Sequence, residues 1–162
     1  MRIGDRTLAL LDAENLLYTD PRGAITADYR HAILHAAAVA DLDSDSMVVV
    51  GLGAENAVGA FAVKEAWPPA ALRCQAGTDG GELSLLDYAS DLRAVTRSYS
   101  RVVIGSGDGE FTDFAADLGR LGVQTTVVSW RYKLSRRLRM AATQVRLLDT
   151  QMEPAQVAAL VA

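Results

Sequence analysis

Short runs of consecutive apolar residues alternate along the chain with longer segments whose apolar residues recur at helical spacing. A continuous apolar run is typical of a parallel strand buried on both faces, because a half-exposed strand would alternate polar and apolar residues. The predicted strands lie at 7–15, whose apolar run closes in Asp12, and at 46–53, 71–76, 101–107 and 123–130, with a possible edge strand at 146–148. The predicted helices lie at 26–42, 55–67, 82–99, 110–122 and 134–145.

This alternation predicts an α/β fold, a three-layer α/β/α sandwich of the Rossmannoid kind. Its central sheet is mostly parallel, with five or six strands, because right-handed crossovers place helices on both faces. A length of 162 residues fits one domain. We assign this domain to residues 1–150 and interpret residues 151–162 as a C-terminal tail or a short helix.

Composition narrows the class of protein. Half of the residues are hydrophobic and 22% are charged, as in compact globular proteins. The single cysteine, Cys74, excludes an internal disulfide and a cysteine-based zinc site, and we expect it to be a small buried residue. The first 20 residues lack the pattern of a signal peptide, and no apolar run reaches about 18 residues. We therefore expect a cytoplasmic protein without a membrane partner.

The charges are unevenly distributed. A net charge of −4 disfavours indiscriminate binding to nucleic acid. However, the segment from Trp130 to Arg146 contains no acidic residue. Its basic residues are Arg131, Lys133, Arg136, Arg137, Arg139 and Arg146. They form either a solvated helix face or, as we expect for Arg131, Lys133, Arg136 and Arg137, contacts with RNA phosphates.

Two aromatic residues flank the first arginine of this segment. Trp130 and Tyr132 could stack on an unpaired base, which would favour single-stranded or loop RNA as the partner. Packing at the end of a strand explains the same residues equally well.

Carboxylates follow two of the predicted strands. Asp12 ends the first strand, and Asp108 and Glu110 lie in the glycine-rich turn GSGDGE after the fourth. Ligands of open parallel sheets bind beyond the carboxyl ends of the strands, where the strand order reverses. If the first and fourth strands are neighbours, Asp12 and Asp108 therefore lie close together.

Further acidic residues belong to the helix predicted to begin at Glu82. Glu82 is expected in its first turn, either as a plain interaction with the helix dipole or as part of the same cluster, which Asp87 would also join. Such a cluster would repel itself unless a cation neutralised it, and ligands that are all oxygen suit Mg²⁺ or Mn²⁺. We therefore predict a metal site formed by Asp12, Glu82, Asp108 and Asp87, with Glu110 as an alternative ligand.

This site indicates metal-assisted hydrolysis of a phosphodiester, since no histidine is well placed as a base. Asn15 follows Asp12 by three residues, where it either caps a helix or holds a metal-bound water or a phosphate. His31 and His35 are spaced to share one face of the first long helix. We interpret this face as solvated rather than as a metal site.

Three segments together resemble the NYN domain family, the PIN-like nucleases that include LabA-type and limkain-type proteins. They are LALLDAENLLY, GGELSLLDYA and VVIGSGDGEFTDFAADLGRLGVQTTVV, and the similarity spans about residues 7–148. Asp12 and Asn15 match the first motif of the family. Glu82 and approximately Asp87 match the second, and Ser106, Asp108 and Glu110 match the third. The segment LSRRLRMAA is similar to the arginine-rich last helix of actinobacterial members.

The resemblance implies a PIN-like fold with strand order 3-2-1-4-5 and a Mg²⁺- or Mn²⁺-dependent endoribonuclease. It also implies that Asn15 and Ser106 position water or phosphate, with Asp12, Asn15, Glu82, Asp108 and Glu110 as the catalytic set. Glutamate stands at 82 and 110 where the family pattern usually has aspartate. This departure favours a second hypothesis, a catalytically retired module that binds RNA or a protein partner.

Two weaker resemblances and one surface complete the sequence-based expectations. GSGDG fits a glycine-rich nucleotide loop, although such loops normally follow the first strand of a domain. LLDAE resembles the phosphoryl-transfer motif of haloacid-dehalogenase-like enzymes but has Glu14 where they have a second aspartate. The apolar segment AFAV at 60–63 is explained by core packing or by a homodimer contact.

Overall fold

The computed structural model describes residues 5–149. Its strands are β1 (Arg6–Asp12), β2 (Met47–Gly53), β3 (Ala71–Gln75), β4 (Tyr99–Gly105), β5 (Gln124–Ser129) and β6 (Gln144–Leu147). Its helices are α1 (Ala13–Leu16), α2 (Thr26–Val39), α3 (Ala57–Ala66), α4 (Gly80–Tyr88), α5 (Leu92–Ser98), α6 (Thr112–Arg120) and α7 (Arg136–Ala141). Two single 3₁₀ turns span Gly109–Phe111 and Arg131–Lys133.

All six strands pair in parallel in the order β3-β2-β1-β4-β5-β6. The predicted order of five strands is confirmed, and β6 adds an edge strand beyond β5. The chain winds outward from β1 to β3, then returns to place β4 on the other side of β1. Asp12 pairs with Gly51 of β2, and Leu11 pairs with Gly105 of β4. The reversal of strand order therefore lies at the carboxyl ends of β1 and β4.

Helices cover both faces of the sheet, which confirms the three-layer α/β/α architecture. Successive residues of β1 point to opposite faces, so Leu8 and Leu10 pack in one core with Phe111 of the 3₁₀ turn. Ala9 and Leu11 pack in the other core, with residues of α2 and α3. Apolar side chains on both faces explain the unbroken apolar pattern of the strands.

The long helix predicted at 82–99 is wrong. The structure has two shorter helices here, because α4 ends at Tyr88 and α5 begins at Leu92. The Asp91 carboxylate accepts a hydrogen bond from the Ala94 amide and so caps the start of α5. This break lets α4 begin against the sheet while α5 leads back into β4.

Two expectations about burial are also wrong. Cys74 is exposed, because it lies near the C-terminal end of the edge strand β3, where the side chains are exposed. His35 is only 2% exposed, since the buried stripe of α2 is wide enough to include it. Its ring packs edge-on against Trp130, with the ring centroids 5.6 Å apart. His31 remains half-buried one turn earlier.

The predicted tail at 151–162 lies outside the described residues. Within residues 5–149, no helix is long and apolar enough to cross a membrane. In the AFAV segment, Ala62 and Val63 belong to the core, whereas Phe61 is 63% exposed. Core packing therefore explains only part of that segment.

Candidate functional site

The ends of β1 and β4 bring two predicted carboxylates to one place. Asp12 is the last residue of β1, and Asp108 starts the 3₁₀ turn that follows β4. The Ser106 hydroxyl donates to Asp12 Oδ2 at 3.3 Å and accepts from the Asp108 amide at 3.2 Å. The prediction that Asp12 and Asp108 meet is therefore confirmed, and Ser106 bridges them.

Asn15 joins the same two loops by a different contact. Its side-chain Oδ1 accepts a hydrogen bond from the Gly107 amide at 3.0 Å. A side chain at Gly107 would place its Cβ 2.5 Å from the Lys133 carbonyl oxygen, so only glycine fits there. Asn15 lies inside α1 and does not cap a helix in the usual way. Its amide fixes the loop that carries Asp108 against the end of β1.

Glu82 reaches the site because α4 begins in direct contact with the sheet. A Cβ on Gly51 would lie 2.3 Å from the Gly81 carbonyl oxygen, so the two backbones approach more closely than side chains allow. Gly51 is the register partner of Asp12. This glycine contact places the first turn of α4, with Glu82, beside the Asp12 carboxylate.

The carboxylates line one small cavity, which we call the acidic cavity. It has a volume of about 250 Å³ and is open to solvent on one side. Its lining residues are Asp12, Glu14, Asn15, Pro21, Asp79, Gly81, Glu82, Asp108 and Lys133. Asp79, Glu82 and Asp108 each offer one oxygen, and these three oxygens lie within 4.8 Å of one another.

Burial and mutual repulsion disfavour the charged forms of these groups. Asp12 is 6% exposed and Glu82 is 4% exposed. Desolvation raises the pKa of Asp12 to about 7, and the charges of Glu14 and Asp108 add to the shift. Desolvation likewise raises the pKa of Glu82 to about 9, with Asp108 as the next contributor. A bound cation would offset both effects.

One lysine ammonium lies in the wall of the acidic cavity. Lys133 Nζ donates to the carbonyl oxygens of Asn15 at 3.0 Å and Leu17 at 2.6 Å. Partial burial lowers the pKa of Lys133, whereas Asp12 and Asp20 oppose this shift. An ammonium has three donors, so one N–H remains for a ligand in the cavity.

Two predicted ligands lie elsewhere. The Asp87 carboxylate is 73% exposed and forms an ion pair with Arg73 at 3.5 Å. It lies outside the acidic cavity, so the predicted position of Asp87 among the metal ligands is wrong. Five residues after Glu82, Asp87 does not share its face of α4. Glu110 is exposed and does not line the acidic cavity. Its contact with the site is its backbone amide, which donates to Asp108 Oδ1 at 2.9 Å.

The predicted RNA-contacting residues are divided between two places. Lys133 belongs to the acidic cavity, whereas Arg131 and Arg136 line a separate groove of about 430 Å³ beside α7. Leu134, Arg139, Met140 and Leu147 complete this groove. Arg137 is exposed on α7 and lies outside it. Tyr132 is 61% exposed, and its ring packs edge-on against Tyr18, whose carbonyl oxygen accepts from the Tyr132 hydroxyl.

Sequence reasoning missed two carboxylates of the acidic cavity. Asp79 lies in the turn before α4 with φ of +61°, a conformation that aspartate tolerates better than most residues. Its position just before a helix start with two glycines was the available signal. Glu14 lies in α1 and is oriented by residues about 40 positions away. No local pattern could have indicated that contact.

The donor set fits a hard divalent cation. Opposite oxygens around such ions lie about 4 to 5 Å apart, which matches the spread of the three carboxylate oxygens. Among residues 5–149, no sulfur or imidazole ligand lines the acidic cavity, so its chemistry favours Mg²⁺ or Mn²⁺ over zinc. An ion held there would face solvent through the open side of the cavity.

Comparison with known proteins identifies a similar fold. No model of a protein family matches the sequence, and no curated protein matches it significantly. Among solved structures, the chain is similar to the crystal structure of a protein of unknown function from Vibrio parahaemolyticus. The TM-score is 0.61 at 16% sequence identity, and the match covers 94% of this chain and 98% of that chain. At this identity the similarity shows a shared fold alone.

Proposed function

We propose that this protein is a divalent-metal-dependent endoribonuclease, a PIN-like nuclease of the NYN type that acts in the cytoplasm. One observation carries the proposal. Three carboxylate oxygens converge within 4.8 Å in the acidic cavity, next to the buried carboxylate of Asp12. Four acidic groups at the strand-order reversal of a parallel sheet form a typical setting for metal-assisted chemistry.

The residues of the chain would hold Mg²⁺ or Mn²⁺ through Asp79, Glu82 and Asp108. When bound, such an ion activates water and stabilises charge on a phosphodiester. Asp12, which we predicted as a ligand, lies outside this group of three oxygens, and it would contribute negative charge beside them. Its Oδ2 accepts from Ser106. Asn15 and Ser106 keep the loops of β1 and β4 at a fixed separation.

Cationic groups near the cavity supply the contact with the substrate. Lys133 would contact a phosphate oxygen, and its position among the lining residues of the acidic cavity supports this role. Arg131 and Arg136, in the neighbouring groove, would guide the flanking backbone. This division predicts that Lys133 affects cleavage more than the arginines do, whereas the arginines affect the salt dependence of binding.

The basic groove also favours a second candidate function, RNA binding without cleavage. Arg131, Arg136 and Arg139 line the groove together with the exposed Met140, at a site that shares no lining residue with the acidic cavity. A module that had lost catalysis would keep this surface. In that case RNA would bind with the same affinity in the presence and absence of a divalent ion.

The decisive experiment is cleavage of a fluorescent single-stranded RNA in Mn²⁺ by the native chain, with EDTA as the metal-free control. We expect endonucleolytic products with Mn²⁺ and none with EDTA. Calorimetry with Mn²⁺ should show a binding site in the native chain and its loss in Asp108→Asn.

Two variants make this assay specific. Asp12→Asn should lower cleavage by at least about 100-fold, because it removes a charge from the site without changing its size. Asp87→Asn is the matched control, since Asp87 lies outside the cavity, and it should stay within about twofold of the native chain. Cleavage that persists in Asp12→Asn would contradict the proposal.

A further inference from the structure

A second and larger cavity adjoins the acidic cavity. It has a volume of about 630 Å³ and lies beyond the carboxyl ends of β2 and β3. Glu14 and Pro21 line both cavities, so they form the boundary between them. We call this space the large cavity. Its volume lies within the range of small-molecule and cofactor sites.

The boundary residue Glu14 is held rigidly from the side of the large cavity. Its Oε1 accepts from the Gly53 amide at 2.9 Å and from Asn56 Nδ2 at 3.1 Å. Asn56 Nδ2 also donates to the Tyr29 hydroxyl at 2.9 Å, and Asn56 Oδ1 accepts from the Gly59 amide at 2.8 Å. This network fixes the carboxylate at the boundary.

The hydrogen bonds from Gly53 and Asn56 both go to Oε1 of the Glu14 carboxylate. A carboxylate has about four acceptor positions on two oxygens. Glu14 Oε2 therefore keeps its capacity to accept hydrogen bonds, on a side chain that faces both cavities. A ligand group at this boundary should be a hydrogen-bond donor, because a carboxylate cannot donate.

We propose that Glu14 reads the ribose 2′-hydroxyl of the nucleotide next to the bound phosphate, and that the large cavity receives the base of this nucleotide. The proposal rests on the proposed nuclease function. In RNA the groups follow one another as phosphate, ribose and base. The acidic cavity, Glu14 and the large cavity follow one another in the same order. A 2′-hydroxyl is the donor that distinguishes RNA from DNA at such a position.

The walls of the large cavity suit a nucleobase. The Tyr29 hydroxyl and the Asn56 amide supply polar groups, and Ala24, Ala54 and Val58 supply apolar surface. Arg22 also lines the cavity, and its guanidinium forms an exposed ion pair with Asp20, with Nη2 to Oδ2 at 2.7 Å. A planar guanidinium offers a stacking surface to an unpaired base.

The test measures binding rather than cleavage. Fluorescence anisotropy compares a labelled single-stranded decamer in ribose and deoxyribose form, with Ca²⁺ in place of Mg²⁺ or Mn²⁺ to suppress cleavage. For the native chain we expect the ribose strand to bind about tenfold more tightly, the effect of one hydrogen bond to a charged group. In Glu14→Gln this ratio should fall to about twofold, because the charge is lost.

Two further variants separate the contact from general effects. Glu65→Gln is the matched control, since Glu65 is an exposed glutamate of α3 that lines neither cavity, and it should keep the native ratio. Ala54→Trp fills the large cavity from an exposed position. It should weaken the binding of both strands by a similar factor of about tenfold or more, since the base loses its place.

The outcomes distinguish this inference from the nuclease proposal. If the native chain cleaves RNA with Mn²⁺ but Glu14→Gln keeps the native preference for ribose, the role of Glu14 is refuted and the nuclease proposal stands. If Glu14→Gln does not fold, Ala54→Trp provides the test. The inference is refuted if this variant binds both strands as tightly as the native chain does. If the native chain neither binds nor cleaves RNA, the proposed function itself fails.

Discussion

The protein buries ionisable groups in two regions that differ in one respect. Asp12 and Glu82 border the acidic cavity, whereas His35 lies under Trp130 on the α2 side of the sheet. Burial raises the pKa of the carboxyl groups to about 7 and about 9, and it lowers the pKa of His35 to about 4. In both regions burial shifts the ionisation equilibrium towards the neutral form. Only the carboxylates face a space that an ion can enter.

This difference separates a site from a packing contact. The backbone of Leu148 approaches the His35 ring, but neither ring nitrogen completes a hydrogen bond within the described residues. None of the cavities described above is lined by His35. The carboxylates converge beside an open space that can hold a cation. A cation bound there would offset the free-energy cost of burying their charges. We conclude that His35 contributes to packing, and that the acidic cavity is the better candidate for a functional site.

The largest expected effect is on catalysis. Asp108→Asn should lower RNA cleavage by about 100-fold or more, because Asp108 contributes one of the three converging oxygens. His35→Leu should change cleavage by less than about threefold, since His35 lies outside the acidic cavity. Initial rates at saturating Mn²⁺ measure both. A large loss in His35→Leu with unchanged thermal stability would remove the distinction between the regions.

The next effect is a gain in stability when a cavity carboxylate is neutralised. The pKa of Glu82 rises from 4.5 to about 9 on folding. Its contribution to folding stability is therefore fully present below pH 4.5, where the side chain is protonated, and is lost as the pH rises towards 9. Without metal, Glu82→Gln should therefore be more stable than the native chain at pH 8, by on the order of 2 kcal/mol. At pH 4 the two chains should be equally stable. Urea unfolding at both pH values measures the difference.

Metal provides the control for this prediction. Saturating Mn²⁺ should stabilise the native chain more at pH 8 than at pH 6, because the ion competes with protons for the carboxyl groups whose pKa values are raised. Glu82→Gln should lose most of that stabilisation. Equal effects of Mn²⁺ on both chains would place the ion elsewhere.

The smallest expected effect concerns the histidine and has the opposite pH dependence. The pKa of His35 falls from 6.5 to about 4 on folding, because of burial and the neighbouring His31, against the opposing charge of Asp149. Its contribution to stability is therefore fully present above pH 6.5 and is lost as the pH falls towards 4. Relative to pH 7, the native chain should lose on the order of 1–2 kcal/mol from this residue at pH 5. In His35→Leu this part of the loss should disappear, as measured by urea unfolding.

The fold could be predicted from the sequence because buried parallel strands have an unbroken apolar pattern. LALL and VVIG identified β1 and β4, and the chemistry of parallel sheets then placed Asp12 beside Asp108. Local pattern failed where a neighbour distant in the sequence decides the outcome. His35 is buried by Trp130, and Cys74 is exposed because β3 is an edge strand of the sheet that the described residues form.

Within the site, prediction correctly placed the carboxylates that follow a strand or begin a helix, and it failed for Asp87 and Glu14. Glu82 was found because α4 starts at the correct edge of the sheet. Asp87 was misplaced because the approximate motif spacing does not say which face of α4 a residue occupies. Glu14 was missed because Gly53 and Asn56, on β2 and before α3, orient its carboxylate.

The hydrogen bond between Asn15 and Gly107 joins loops that are 92 residues apart in the chain. During synthesis the early strands can pair among themselves, but the pocket has no far wall until β4 has left the ribosome and inserted beside β1. Closing so long a loop is among the slower steps of assembly. The proposed site would therefore stay incomplete in a nascent chain until β4 has joined the sheet.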